Sequence, residues 1–387
     1  VLRHSTYWLA QISIAVVQAI VAAFLFHRRH MMAVRVEPPT LLALTLAGLG
    51  CGGEKNSDPP PAAESTPKEL RTDAVPKPIP VKAKAVMDAR SVADKLGIPY
   101  YLIDESKEFQ RDVIDYFAAE YKAGRTPNPC VMCNEKLKFG NLITRAKKLG
   151  AEFVATGHYA RLEKRNGRTV MLRGKDARKD QTYFLFSLGQ EQLAHMMFPL
   201  GELQKSETRE VARCVSLKTA EKQESQEICF VPDKDYKKFL TTAGLVEEHQ
   251  GEIVNTLGQV LGHHDGIEFY TIGQRKGLGI SSPTPLYVVE LDPENNRVVV
   301  GEEGMLLRTE FRIGRCNWIP FENLDRPIKV SAAIRYNHPG AAATVEPSEN
   351  GQAIVKLHEP QRAVTPGQAC VFYQDDLVVG GGWIMRH

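Results

Sequence analysis

Apolar residues recur at helical spacing at Phe109, Val113, Ile114, Phe117 and Ala118, which predicts a helix over 106–122 with Ser106 as its cap. Gly124-Arg125-Thr126-Pro127-Asn128-Pro129 breaks that pattern, and a second helix is predicted from about Asn134 to Leu149, stopped by Gly150. Upstream, residues 88–96 read as the end of a helix closed by Gly97, and residues 99–103 as a short strand. Glu152-Phe153-Val154-Ala155-Thr156 reads as a buried strand ending at Gly157-His158. Strand and helix alternating in this way predict an α/β layer around a parallel sheet, whose ligands gather beyond the carboxyl ends of the strands. Both the Pro-Asn-Pro loop and Gly157-His158 are expected at such ends.

After about Asp233 the period shortens to two. Strands are predicted at 256–262, 268–271, 287–291, 297–300, 328–336, 342–345, 353–357 and 369–373, with turn residues such as Pro293-Glu294-Asn295-Asn296 and Asn350-Gly351 between them. Many short strands at regular intervals predict a small antiparallel barrel. The predicted order is thus a catalytic α/β domain at 85–232, a small central domain at 233–300 and a β-barrel at 301–387.

The first 84 residues read differently. Residues 8–26 are apolar apart from Gln11, Ser13 and Gln18, and His27-Arg28-Arg29-His30 comes next, a run long enough for one membrane span. A second start at Met31 or Met32 would give a lipoprotein-like signal ending at Cys51. The opening Val1 favours instead upstream sequence fused to a gene fragment. Residues 1–51 therefore read as a hydrophobic, signal-like segment foreign to the rest of the chain, and residues 52–84 as an extended linker. Pro59-Pro60-Pro61, Pro67, Pro76, Pro78 and Pro80 forbid a continuous helix there.

Composition adds bounds. With 387 residues, 43% hydrophobic and 25% charged, the chain has room for two or three soluble domains. A net charge of +3 places any nucleic-acid surface in local patches. Seven cysteines are too few for a disulfide scaffold, and Cys214, Cys316 and Cys370 read as buried small hydrophobes or free thiols.

The chemistry concentrates at Pro127-Asn128-Pro129-Cys130-Val131-Met132-Cys133-Asn134. Two prolines fix a loop that delivers a cysteine to the mouth of the next helix, where dipole and free amides are expected to lower a thiol's pKa. Far downstream lies Cys229, within Gln226-Glu227-Ile228-Cys229-Phe230. Two distant thiols suit sulfur relay, one bearing a persulfide and the other resolving it. A redox pair, half of a zinc site or coincidence would account for the cysteines as well, though no fourth zinc ligand stands at a suitable spacing. The block Gly273-Gln274-Arg275-Lys276-Gly277-Leu278-Gly279 suits a phosphate cradle or a plain basic turn.

Residues 123–139, Ala155-Thr156-Gly157-His158-Tyr159, Leu172-Arg173-Gly174, 179–185, Phe198-Pro199-Leu200-Gly201, 226–230, 270–280 and Val364-Thr365-Pro366-Gly367-Gln368 together resemble the tRNA 2-thiouridylases of the MnmA type over about residues 86–387. The resemblance implies a Rossmann-like adenine-nucleotide α-hydrolase sheet, a central domain and a C-terminal antiparallel β-barrel. It implies 2-thiolation of the wobble uridine of tRNA, with ATP and Mg2+ adenylating the carbonyl oxygen and a persulfide sulfur displacing AMP. By the same resemblance Cys133 is the nucleophile, Cys229 bears the persulfide and Gly157 contacts the nucleotide. Asn128, Pro129 and Cys130 meet the target base, while His158, Lys179, Asp180, Gln181, Arg335, Tyr336 and Gln368 contact tRNA. The implied partners are tRNA and a sulfur-carrier or cysteine desulfurase protein, in the cytoplasm and without a stable membrane partner.

Two departures stand out. Many relatives carry Asp where this chain has Cys130, so Cys130, Cys133 and Cys229 form a possible ligand set for a [4Fe-4S] cluster; persulfide exchange is the favoured alternative. The family's opening Ser-Gly-Gly-Val-Asp-Ser, whose amides wrap the pyrophosphate of ATP, does not occur here; Cys51-Gly52-Gly53-Glu54-Lys55-Asn56-Ser57 lacks its Asp. The sheet is therefore expected to be incomplete. A non-catalytic tRNA-binding remnant and a membrane-anchored protein with a borrowed domain are the competing expectations.

Overall fold

The structure, a computed structural model, describes residues 83–222, 228–231 and 235–386. The apolar run at 8–26, the signal-like stretch to Cys51 and the Pro-rich segment up to residue 82 lie outside the described residues, as do Gln226 and Glu227. Among the described residues no helix is long and apolar enough to cross a membrane.

Helix α1 (Ala83–Leu96) stops at Gly97, whose φ of +65° suits a residue without a Cβ. Helix α2 (Ser106–Phe109) passes through a π-helical stretch (Gln110–Asp115) into α3 (Tyr116–Lys122), and the predicted apolar stripe is buried. Glu105, not Ser106, is the capping residue; the carboxylate of Asp104 accepts the Ser106 amide at 3.0 Å. The next helix begins five residues earlier than expected, because Pro129 has no amide to lose and its fixed φ suits a first turn. It comprises α4 (Pro129–Met132), a π-helical stretch (Cys133–Asn141) and α5 (Leu142–Lys148).

After strand β1 (Val154–Ala155) comes a hairpin that the periodicity did not predict, β2 (Ala160–Arg165) and β3 (Arg168–Arg173). Helix α6 (Gln190–Ala194) leads into β4 (Met196–Met197), which pairs in parallel with β1, and α7 (Lys205–Cys214) comes next. This pair is the parallel sheet of the catalytic domain among the described residues. The strand predicted at 99–103 contracts to a bridge at Leu102: Pro99 lacks a ladder donor, and Tyr101 and Leu102 have no cover, being 43% and 45% exposed.

Helix α8 (Tyr236–Thr242) opens the central domain, a sheet of β5 (Gly251–Asn255), β6 (Val260–His264), β7 (Tyr287–Asp292) and β8 (Arg297–Gly301) in the order β6-β5-β8-β7. Residues 256–259, expected in a strand, are the β5–β6 turn, in which the Asn255 side chain accepts the amides of Leu257 and Gln259. Residues 267–269 form a 3-10 turn, not a strand, after Gly266 at φ 151° reverses the chain.

The last domain is a closed barrel of β9 (Leu307–Trp318), β10 (Ile328–Ala333), β11 (Ala341–Pro347), β12 (Ala353–Arg362), β13 (Ala369–Gln374) and β14 (Leu377–Ile384). Neighbours run β13-β10-β11-β12-β9-β14, and β13 pairs with β14 to close the ring. Phe311, Ile313, Ala343, Val345, Val355 and Phe372 fill its interior. Val371, Tyr373 and Trp383, facing the other way, join Phe139, Phe186 and Phe198 of the catalytic domain in a second core. A third core joins Phe117, Cys133 and Leu137 to Phe230, Phe239 and Val288 across the catalytic and central domains.

Candidate active site

Pro127-Asn128-Pro129 does not end a strand, as expected, but links α3 to α4 and is held by the barrel. The Thr126 amide donates to Pro366 O at 2.9 Å, and Gln368 Nε2 donates to the carbonyls of Thr126 and Pro127 at 3.1 and 3.2 Å. Asn128 Nδ2 donates to Tyr183 Oη at 3.3 Å, and that hydroxyl donates to Ala369 O on β13 at 2.9 Å. A loop with few donors of its own is thus fixed from outside.

Cys130 lies in the first turn of α4, and Cys133 opens the π-helical stretch in mid-helix, where no free amides point at it. The expected depression of thiol pKa is therefore overturned. Desolvation pushes Cys130 up to about 11, with the Cys133 thiol adding to it, and pushes Cys133 and Cys229 up as well; the Lys138 ammonium pulls all three back. Cys133 is buried in the same apolar cluster against which Cys229 packs, beside Phe230. All three cysteines are free thiols.

The π-helical stretch widens the helix, and its unsatisfied carbonyls are met by Gln192 of α6, whose Nε2 donates to Glu135 O at 3.2 Å and Phe139 O at 2.9 Å. Asn134, buried beside Cys133, donates to Phe184 O at 3.0 Å, while its Oδ1 has no partner among the described residues.

Gly157 and His158 do come after β1 at its carboxyl end, where a ligand is expected. Thr156 Oγ1 lies 2.8 Å from His158 Nδ1, and the ring packs against Phe139 and Phe198. Desolvation first, then Lys138, holds His158 well below the usual histidine range, so it is neutral near pH 7. The phosphate-wrapping Ser-Gly-Gly-Val-Asp-Ser of the resembled family does not occur in the chain.

The remaining predicted residues fall into two sets. Asp180 faces inward: its carboxylate accepts from Arg173 Nη1 (3.2 Å), the Gly174 amide (3.1 Å) and the Thr182 hydroxyl. Gln181 Oε1 accepts the Tyr159 amide at 3.0 Å. Both hold the loop that carries Lys179. Arg335 and Tyr336 are exposed on the barrel, and Tyr336 packs on Phe184 with ring centroids 4.4 Å apart. The barrel thereby borders the thiol-bearing loop on one side.

Among the described residues no three His, Cys, Asp or Glu side chains converge as a metal site, Cys130, Cys133 and Cys229 included. Of the scattered cysteines, Cys370 is buried as expected and Cys316 half-buried, but Cys214 is exposed. Sequence reasoning also missed Lys138, Tyr183 and Gln192. All three act through distant partners, and a lone lysine or glutamine in a helix carries no signal of that.

Residues 65–233 match the family described as a tRNA methyl transferase HUP domain, residues 237–302 its PRC-barrel domain, and residues 308–384 an aminomethyltransferase β-barrel domain. The chain is 49% identical over 300 residues to the tRNA-specific 2-thiouridylase MnmA of Clostridium perfringens, covering 78% of this chain and 84% of that protein. It is 50% identical over 303 residues to the MnmA of Moorella thermoacetica, covering 78% and 85% of the two chains. With the MnmA of Koribacter versatilis the identity is 50% over 307 residues, covering 77% and 83%. With three successive domains matched and half of the aligned residues identical, this chain belongs to the tRNA-specific 2-thiouridylase MnmA family.

Proposed function

We propose that this protein replaces the 2-oxygen of a tRNA wobble uridine with sulfur, using Cys133 and Cys229 as its sulfur-handling residues. The observation that carries the reading is their meeting in one apolar cluster beside the pinned Asn128-Pro129-Cys130 loop, although one lies in a helix and the other in a distant loop. ATP with Mg2+ is the co-substrate that makes the oxygen a leaving group, and Gly157 is the residue offered to it.

Sulfur moves in balanced steps. A donor protein, a sulfur carrier or cysteine desulfurase, transfers one sulfur to Cys229 as a persulfide. Its terminal sulfur attacks C2, the C2–O bond breaks, and AMP leaves with the oxygen. The Cys133 thiolate then attacks Cys229 Sγ, which forms a Cys133–Cys229 disulfide and releases 2-thiouridine; a dithiol reductant restores both thiols. The apolar wall protects the persulfide from water. The base is read in a pocket bordered by Asn128, Pro129, Cys130 and His158, while Lys179, Arg335 and Tyr336 meet the surrounding tRNA. Asp180, Gln181 and Gln368 serve by fixing loops. We place this chemistry in the cytoplasm, where tRNA is modified.

Expression of the chain in bacteria lacking their own thiouridylase tests the reading. Retarded, thiolated tRNA on a mercury gel is the expected result, lost on Cys133→Ala. Absence of thiolation from folded protein that still binds tRNA would overturn it and leave tRNA binding as its activity.

A further inference from the structure

A lysine at position 138 stands five residues after Cys133 within the π-helical stretch Cys133–Asn141. In an α-helix a five-residue step leaves two side chains about 140° apart; in a π-helix, whose hydrogen bonds run from i to i+5, the wider turn brings them to within roughly 50° of each other. The register that Gln192 holds open therefore turns Lys138 toward the thiol side of the helix. The neighbouring cations are otherwise engaged: Lys136 and Arg315 pair with Glu135 at 2.7 and 3.6 Å. Lys138 is half-buried and has no carboxylate within ion-pair distance among the described residues. Its charge reaches Cys130, Cys133, Cys229 and His158 together, groups brought from three separate segments.

We propose that Lys138 is the positioning cation of the sulfur site: it stabilises anionic sulfur on Cys133 and Cys229 and draws an anionic sulfur donor toward them. The site's apolar walls cannot stabilise a thiolate or persulfide anion, and a neutral His158 cannot supply the charge. One cation in a desolvated cluster is the physical minimum that permits sulfur to move as an anion.

The proposal rests on the reading of the thiols as sulfur carriers, so its test avoids thiolation altogether. The full chain is treated at fixed pH with a dianionic aromatic disulfide and with a neutral dipyridyl disulfide, and labelling of Cys133 and Cys229 is followed by peptide mass. The exposed Cys214 serves as internal reference. Lys138→Met should slow both reagents about tenfold, and the dianionic one further still. Lys138→Arg should restore the rates and the preference for the dianion, which a packing role would not predict. Lys138→Gln, closer in polarity, guards against misfolding of the Met variant, with circular dichroism as control. Unchanged rates and unchanged reagent preference in a folded Lys138→Met or Lys138→Gln protein would overturn the proposal. Thiol rates that respond to Lys138 as expected, in a chain that without substitution fails to thiolate tRNA in vivo, would instead count against the proposed function alone.

Discussion

The thiols of Cys130, Cys133 and Cys229 sit where water does not reach them well, and this sets their response to pH. Alkylation of Cys130 by iodoacetamide should climb about tenfold per pH unit between 7 and 9, without a plateau until near the thiol's value of about 11. A plateau near pH 7, read by peptide mass, would show an activated thiolate instead. Folding is linked to the same shift. A thiol raised in the folded state keeps its proton longer there, so its contribution is intact below the unfolded value near 9.0 and is lost as pH rises toward about 11. The thermal midpoint should fall across that window, and less so in Cys130→Ser. Replacing Cys229 by Ser should abolish thiolation while leaving tRNA affinity within about twofold, since tRNA is held mainly through charge. The identities of these thiols were legible from spacing and resemblance; their raised pKa values were not. Helix position suggested one sign and desolvation, a property of the folded surroundings, imposed the other.

Among the elements, the Pro-Asn-Pro loop takes two of its hydrogen bonds from one barrel side chain. Gln368→Ala removes two hydrogen bonds to loop carbonyls and should cost about 1–2 kcal/mol in urea unfolding, with a larger fractional loss of thiolation than of stability. Asp180 is a stronger case. Asp180→Ala strands the Arg173 guanidinium, the Gly174 amide and the Thr182 hydroxyl, and should cost about 2–3 kcal/mol, discounted for the partial exposure of Arg173. If Asp180 instead served only at the tRNA surface, urea unfolding would not move. Helices α2, α3 and the one through Cys133 were readable because a single buried stripe repeats along them. The hairpin β2–β3 was not, since β2 is exposed along its second half and its apolar residues show no alternation. Strand β14 was hidden by Gly380-Gly381-Gly382. A side chain at Gly381 would meet Cys370 O and the ring of Phe186, so close packing there forbids the residues that announce a strand.

For the molecule as a whole, the barrel is joined to the catalytic domain by a shared core in which Trp383 meets Tyr116 and Phe186 at centroid distances of 6.2 and 6.1 Å. Trp383→Ala should cost about 3–5 kcal/mol and split one calorimetric transition into two, because it opens a cavity between domains and not within one. A single transition at a slightly lower temperature would show that the domains do not depend on this contact. By itself the sequence determined the order of the three domains and the helices around the thiols, and it named the candidates for the family's chemistry, because local periodicity and short motifs are written in consecutive residues. Tertiary structure decided the rest. It closed the barrel by pairing β13 with β10 and β14 with β9, gave Gln368 to the scaffold of a distant loop, and made the thiols reluctant acids. Each of those outcomes depends on residues far apart in the chain, and a desolvated pocket or a strand partner exists only once they have come together.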